Sequence, residues 1–267
     1  MPNSKYLKTI IIEKFKGDDS FEVEDVTIQE SRLNVFLNGV KAISMMCIPK
    51  DQDAHVIGFL MSEDVIDSVD DIEELKISED GLRVDISAKV NENSLQNLYK
   101  EKTLTSGCGG GVTGNVAGSL EIPFNQTKFK IAPETIYTEV KEFYADSELY
   151  NLTGCVHKAM LYLEDGTTVT AEDIGRHNAI DKAVGKCKLR RIDTTKSVLF
   201  VSGRLSSEMV TKAVMHRIPL VISRTAPTHL GVKTAHDHGI TIIGFARGRK
   251  MNVYTHSGRI GEIVDGS

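Results

Sequence analysis

The sequence predicts an α/β protein in two parts. Residues 1–125 read as a β-rich domain with one helix, and residues 126–267 as a larger domain whose mixed, mainly parallel sheet is covered by helices. Three observations carry this. Leu82, Val84, Ile86, Ala88 and Val90 alternate with Arg83, Asp85, Ser87 and Lys89, the period-two pattern of a half-buried strand. Beyond Arg176 the pattern changes to helical segments alternating with short apolar runs, as βαβ units require. Between these regimes lies Thr105-Ser106-Gly107-Cys108-Gly109-Gly110-Gly111, extended by Gly114 and Gly118, a composition suited to neither helix nor strand.

In chain order, short apolar pieces run from Leu7 to Ile48, and Asn38-Gly39 between Leu33–Leu37 and Val40–Ile48 is a two-residue hairpin signal. Pro49 closes that strand, and Ala54 to Ile66 carries the apolar face of a helix. The polar stretch from Asn125 to Lys130 continues the glycine-rich connection into the second domain. Pro133 opens a helix through Ile136, Val140 and Phe143 to Leu149, where proline suits the first turn. A second hairpin is predicted from Val156–Leu163 and Thr167–Ala171 around Asp165-Gly166. Helices near Arg176–Lys186, Ser206–His216 and Thr228–His238 then alternate with strands Ser197–Val201, Leu220–Ile222 and Ile240–Ile243.

Composition narrows the function. With 32 basic and 37 acidic residues the net charge is −5, so bulk attraction to nucleic acid or an anionic membrane is not expected and any anion site must be local. No apolar span approaches the length a bilayer requires and the first twenty residues lack a signal-peptide pattern, which sets the expectation of a soluble, cytoplasmic protein. Cys47, Cys108, Cys155 and Cys187 form no Cys-x-x-Cys pair, so neither a disulfide framework nor a zinc knuckle is expected. Cys155 and His157 lack the further ligands that a metal site needs, and no bound metal is expected.

Chemistry concentrates in three places. Cys108 is a single thiol in a run whose backbone N–H groups can face a thiolate or persulfide. Arg204, Arg224, Arg247 and Arg249 follow three predicted strands, where open α/β sheets collect ligands, and can hold phosphate or carboxylate. Gly175, Arg176 and His177 start a helix, a position that favours anions. His177 and Asp181 are four apart and expected on one face, within hydrogen-bonding reach. From the residues alone, a satisfied structural histidine is the simpler account of His177.

These motifs resemble the FdhD/NarQ formate dehydrogenase accessory family over nearly the whole chain. The resemblance rests on Asn38-Gly39, Gly58-Phe59-Leu60 with Ser62-Glu63, Thr105-Ser106-Gly107-Cys108-Gly109, Thr153-Gly154 with His157, and Glu172-Asp173-Ile174-Gly175-Arg176-His177-Asn178-Ala179-Ile180-Asp181-Lys182. Ser202-Gly203-Arg204, Ala226-Pro227, Gly244-Phe245-Ala246-Arg247 and Asn252-Val253-Tyr254 complete it. It implies a sulfurtransferase needed for active formate dehydrogenase, loaded by a cysteine desulfurase with a persulfide on the cysteine that Cys108 matches. It also implies delivery to the molybdenum or tungsten of a bis-molybdopterin guanine dinucleotide cofactor, held at Phe245, Ala246, Arg247, Gly248, Arg249 and Lys250. A cytidine-deaminase-like larger domain and a homodimer are implied too. Two positions depart from the pattern: Gly111 stands where the family often has a second loop cysteine, and Cys155 where it usually has glycine. Two other functions remain open, a non-catalytic chaperone for the same cofactor and a hydrolase acting on a nucleotide base, which would need a metal-activated water.

Overall fold

The computed structural model describes residues 6–100, 103–104, 112–113 and 122–261. Cys108 and its glycine-rich neighbours lie outside them. The described chain opens with a ribbon of two 10-residue strands, β1 (Leu7–Lys16) and β2 (Asp19–Ile28), paired only with each other. It leaves Ile10, Ile11, Phe15 and Phe21 exposed.

Strands β3 (Ser31–Leu37), β4 (Val40–Cys47), β5 (Ile72–Ile77) and β6 (Arg83–Ala88) form a sheet in the order β4-β3-β6-β5. The expected turn joins β3 to β4, with Asn38 at φ 50° and Gly39 at φ 81°, the left-handed pair such hairpins need. Asn38 also bonds Ala88 of β6 through both its amide groups, at 2.9 Å each. Helix α1 (Gln52–Ser62) ends four residues before the Ile66 expected from periodicity, because Asp64 turns left-handed at φ 59° and tucks Val65 and Ile66 into the core. A second helix, α2 (Glu92–Lys100), adds Leu95 and Leu98 to that core. Short strands β7 (Thr103–Leu104) and β8 (Val112–Thr113) pair antiparallel.

The single helix expected over Pro133–Leu149 is two, α3 (Pro133–Ala145) and α4 (Glu148–Thr153). The break follows from Glu172, whose carboxylate accepts both the Ser147 hydroxyl and the Leu149 N–H. Six strands follow, β9 (His157–Leu163), β10 (Thr168–Asp173), β11 (Ser197–Val201), β12 (Leu220–Ser223), β13 (Thr241–Arg247) and β14 (Lys250–Val253). Their order is β10-β9-β11-β12-β13-β14. Parallel pairing joins β11, β12 and β13, and hairpins add antiparallel strands on both sides. Phe245, Ala246 and Arg247, read as a loop after Ile243, instead continue β13 through a bulge and turn at Gly248-Arg249 into β14.

Helices α5 (Arg176–Leu189), α6 (Ser207–Met215) and α7 (His229–His238) cover one face of this sheet, and α3 covers the other. The alternation along β11 shows why: Leu199 and Val201 enter the first core, Val198 and Phe200 the second. Helix α1 is buried on both sides. Val56, Phe59 and Leu60 serve the N-terminal core, while Gly58 presses on the Asp181 carbonyl of α5 and Gly185 of α5 presses back on the Ala54 carbonyl.

The segment from Glu172 to Lys182 has a structural centre. Asp173, 0 % exposed, pairs with Lys182 at 2.6 Å and accepts the N–H groups of Ile48 and Gly175 and the Asn178 amide. Lys182 also donates to the Ile48 carbonyl, and Asn178 to that of Met46, so the end of β4 is fastened to α5.

His55 on α1 is fully buried with both ring nitrogens unpartnered among the described residues, and burial, reinforced by the Lys182 charge, lowers its pKa from 6.5 to about 4. Its folded pKa lies below the unfolded value, so its contribution is complete above about pH 6.5 and is lost as pH falls towards 4. At 1.36 kcal/mol per pKa unit the loss is on the order of 3 kcal/mol. His216, also buried and lowered, acts in the same direction. Denaturant midpoints measured from pH 7 to 4.5 are expected to fall, and to fall less steeply in His55→Leu. Identical slopes for the two proteins would rule His55 out as the titrating group.

Candidate functional site

A cavity of about 810 Å³ opens where β4, the C-terminal end of α1, α3 and α4 meet the strand ends of the larger sheet. Gly175 and His177 line it from the start of α5, and Cys155, His157 and Lys158 from the start of β9. Glu208, Thr211 and Lys212 of α6 and Arg224 after β12 complete the polar wall.

The interior is organised by two helices whose charged positions match. His177 and Asp181, one turn apart on α5, do not pair with each other as their spacing suggested. His177 Nε2 faces Glu208 at 3.5 Å, and Asp181 accepts Lys212 at 2.7 Å. Glu208 and Lys212 are themselves one turn apart on α6, so each carboxylate finds a cation or imidazole on the neighbouring helix. Ser206 donates to Glu208 at 3.1 Å. Ser62, at the end of α1, donates to Asp181 at 2.8 Å and lies 3.0 Å from His216 Nε2.

Burial holds the His177 imidazole below its usual pKa against the opposing effect of Glu208, while the contact with His177 holds the Glu208 carboxyl low. His157, 3.1 Å from the Ser202 hydroxyl, is lowered by burial and then by the Arg176 charge. Both imidazoles are therefore neutral at pH 7 and able to accept a proton. Lys158 is committed to the carbonyls of Phe143 and Asp146.

A shallower groove of about 460 Å³ adjoins this cavity, and Tyr144 and Arg224 line both. The Arg224 guanidinium lies 4.5 Å from the Tyr144 ring centre. Arg247, Gly248 and Arg249 form the groove's other side, against Glu134 and Tyr137. Arg249 is engaged in a two-pronged pair with Glu134, whereas Lys141, Arg224 and Arg247 line the groove without a carboxylate partner among the described residues.

Of the other positions expected from sequence, Ala246 is buried in the α3 core and Lys250 is exposed at the start of β14. Phe245 is exposed, with an uncommon φ of 52° fixed by its N–H bond to the Thr225 carbonyl. Arg176 is buried with its side chain against Gly203, and Arg204 is exposed but lines neither depression. Cys108 lies outside the described residues. Sequence reasoning missed Tyr144, Thr211, Glu208 and Lys212. The i, i+4 spacing of Glu208 and Lys212 was the available signal, yet their partners lie 31 residues away in sequence. Among the described residues, no three His, Cys, Asp or Glu side chains are grouped to hold a metal ion. No helix among them is long and apolar enough to cross a membrane.

Comparison with known proteins places these features in context. The model of the FdhD/NarQ family matches residues 28–261. The sulfur carrier protein FdhD of Wolinella succinogenes is 55% identical over 258 residues, 96% of this chain and 90% of that one. The protein of the same name in Bacillus subtilis is 33% identical over 97% of this chain and 100% of its own. The crystal structure of a candidate formate dehydrogenase accessory protein from Desulfotalea psychrophila superimposes with a TM-score of 0.76 at 25% identity, covering 96% of this chain and 100% of that one.

Proposed function

This chain belongs to the FdhD/NarQ family, and we propose that it is a cytoplasmic sulfurtransferase, a homodimer, that serves formate dehydrogenase. It takes sulfur from a cysteine desulfurase onto Cys108 and passes it to the bis-molybdopterin guanine dinucleotide cofactor. The loading step is balanced without an outside oxidant: the Cys108 thiolate attacks the outer sulfur of the donor persulfide, the donor S–S bond breaks, a new one forms at Cys108, and the donor leaves as a thiol.

The observation that carries the reading is the continuity of groove and cavity at Tyr144 and Arg224. A dinucleotide needs cations for its pyrophosphates and flat side chains for its rings, and the groove offers Arg224, Arg247, Tyr137 and Tyr144. Those residues fit the cofactor. When bound, it would supply the metal that receives the sulfur. Arg224 and Arg247 would hold its phosphates, while Arg249 keeps Tyr137 in place through its contacts with Glu134 and the Tyr137 ring.

Intact-mass spectrometry after incubation with a cysteine desulfurase and cysteine tests the reading. The wild-type chain is expected to gain thiol-sensitive sulfur that Cys108→Ser loses at that position, and Cys108→Ser is expected to leave formate dehydrogenase inactive. A Cys108→Ser chain that still matures the dehydrogenase would favour the alternative, a chaperone that delivers the cofactor through the arginine groove without carrying sulfur.

A further inference from the structure

We propose, on the basis of the sulfur-carrying function above, that Cys155 is a second persulfide-bearing thiol and that the large cavity is the binding site for its sulfur donor. Three cysteines lie within the described residues, and they differ sharply in environment. Cys47 and Cys187 are buried, and burial pushes their thiols up to about 12 and about 11, so both are inert hydrophobes. Cys155 is exposed and lines the cavity. It follows Gly154, whose left-handed backbone (φ 65°) closes α4, and its N–H bonds the Thr153 hydroxyl at 3.3 Å.

A second feature of the same cavity points to a polar occupant. Thr211 lines it and is 7% exposed, and its hydroxyl has no partner among the described residues. A buried hydroxyl without a partner is costly, and a ligand with an acceptor atom in the cavity relieves that cost. The acceptor that suits a sulfur carrier is the carboxylate of a small persulfide such as cysteine persulfide. Arg224 supplies a positive charge for it, and the neutral imidazoles of His157 and His177 can take up the thiol proton.

The transfer needs no added redox partner. The Cys155 sulfur attacks the outer sulfur of R–S–S–H, the donor's S–S bond breaks, and the inner sulfur leaves on R as R–S–H with the proton from Cys155. The product is Cys155–S–S–H, with no net oxidation. The donor is a persulfide in either of two forms, a free low-molecular-weight persulfide or the persulfide formed on Cys108.

The test uses the full chain as wild type, Cys108→Ser, Cys155→Ser and Thr211→Val, with two donors: cysteine persulfide, and a cysteine desulfurase with cysteine. Non-reducing peptide mass spectrometry reads sulfur at each cysteine over time. Cys155 is expected to gain one sulfur from cysteine persulfide in both wild type and Cys108→Ser. Gain from the desulfurase that disappears in Cys108→Ser would identify Cys108 as the donor. In Thr211→Val, loading of Cys155 should slow about fivefold, the worth of one hydrogen bond. Cys155 unmodified in every arm while Cys108 loads would overturn this inference and leave the Cys108 function standing. Equal loading of Cys155 in wild type and Thr211→Val would also overturn it, since a merely exposed thiol reacts without the cavity. Sulfur on Cys155 from the small persulfide, with none on Cys108 from the desulfurase, would instead remove the Cys108 function.

Discussion

Asp173→Asn is expected to destabilise the fold by about 3–5 kcal/mol, the cost of leaving one member of a buried ion pair without its partner. The side chain it replaces is 0 % exposed, as is the Lys182 ammonium 2.6 Å away. An amide keeps the shape but removes the charge, so the Lys182 ammonium would lose its carboxylate partner and keep the Ile48 carbonyl. The amide also cannot accept at both ends. Its NH₂ group then meets either both donors to Oδ1, the Gly175 N–H and the Asn178 amide, or both donors to Oδ2, the Ile48 N–H and the Lys182 ammonium. Because those donors come from both β4 and α5, the loss should appear as one cooperative transition shifted to lower denaturant. In a chain of this size the melting point should drop on the order of 10 °C. A shift worth less than about 1 kcal/mol would show that the pair contributes no more than a surface salt bridge.

Gly185→Ala is expected to fail in a way that helix propensity alone gets backwards. On propensity, alanine in a helix interior gains about 1 kcal/mol over glycine. Here an added Cβ would stand 1.9 Å from the Ala54 carbonyl oxygen, and at Gly58 it would stand 1.9 Å from that of Asp181. The obstacle is backbone on both sides, so no rotamer change relieves it. Separating α1 from α5 would be required, and with it the contacts of Phe59 and Lys212. A cost of about 3 kcal/mol or more is expected, at the upper end of what overpacking causes. Gly258→Ala is the control, since nothing lies within 4 Å of its added Cβ, and it should stay within about 0.5 kcal/mol of wild type. Soluble yield and thermal melting of the two variants decide the matter; equal stability would mean the helices part easily.

Local chemistry made much of the fold readable in advance. Asn38-Gly39 and Asp165-Gly166 mark hairpins because few dipeptides accept their backbone angles, and the runs at Ser197, Leu220 and Ile240 mark buried strands. What escaped reading depended on distant partners. Helix α2 has few apolar positions, so its periodicity is faint, and it is held by Leu95 and Leu98 meeting a core built by other segments. The helix break at Asp146 is set by Glu172, 25 residues on from Ser147. The site divides the same way. Gly175, His177, Arg224 and Arg247 could be placed at strand ends and a helix start by topology. That His177 would choose Glu208, Asp181 would choose Lys212, and Arg249 would be taken by Glu134 required the packing of α5 on α6 and of α3 beside β13.

The ribbon of β1 and β2 has a consequence for the chain in the presence of proteases. Two paired strands with no third strand or helical cover along most of their length are marginal on their own. Here Glu13 sits directly across from Glu22, which weakens the pairing further. Backbone that opens this readily is backbone that an endopeptidase can seat, and Lys14 and Lys16 offer trypsin its cleavage sites near the tip. The described cores, joined by the α1–α5 crossing, are expected to resist. Tryptic digestion is thus expected to leave a chain that begins near Gly17, with Ile28, where the match to the family begins, still in place.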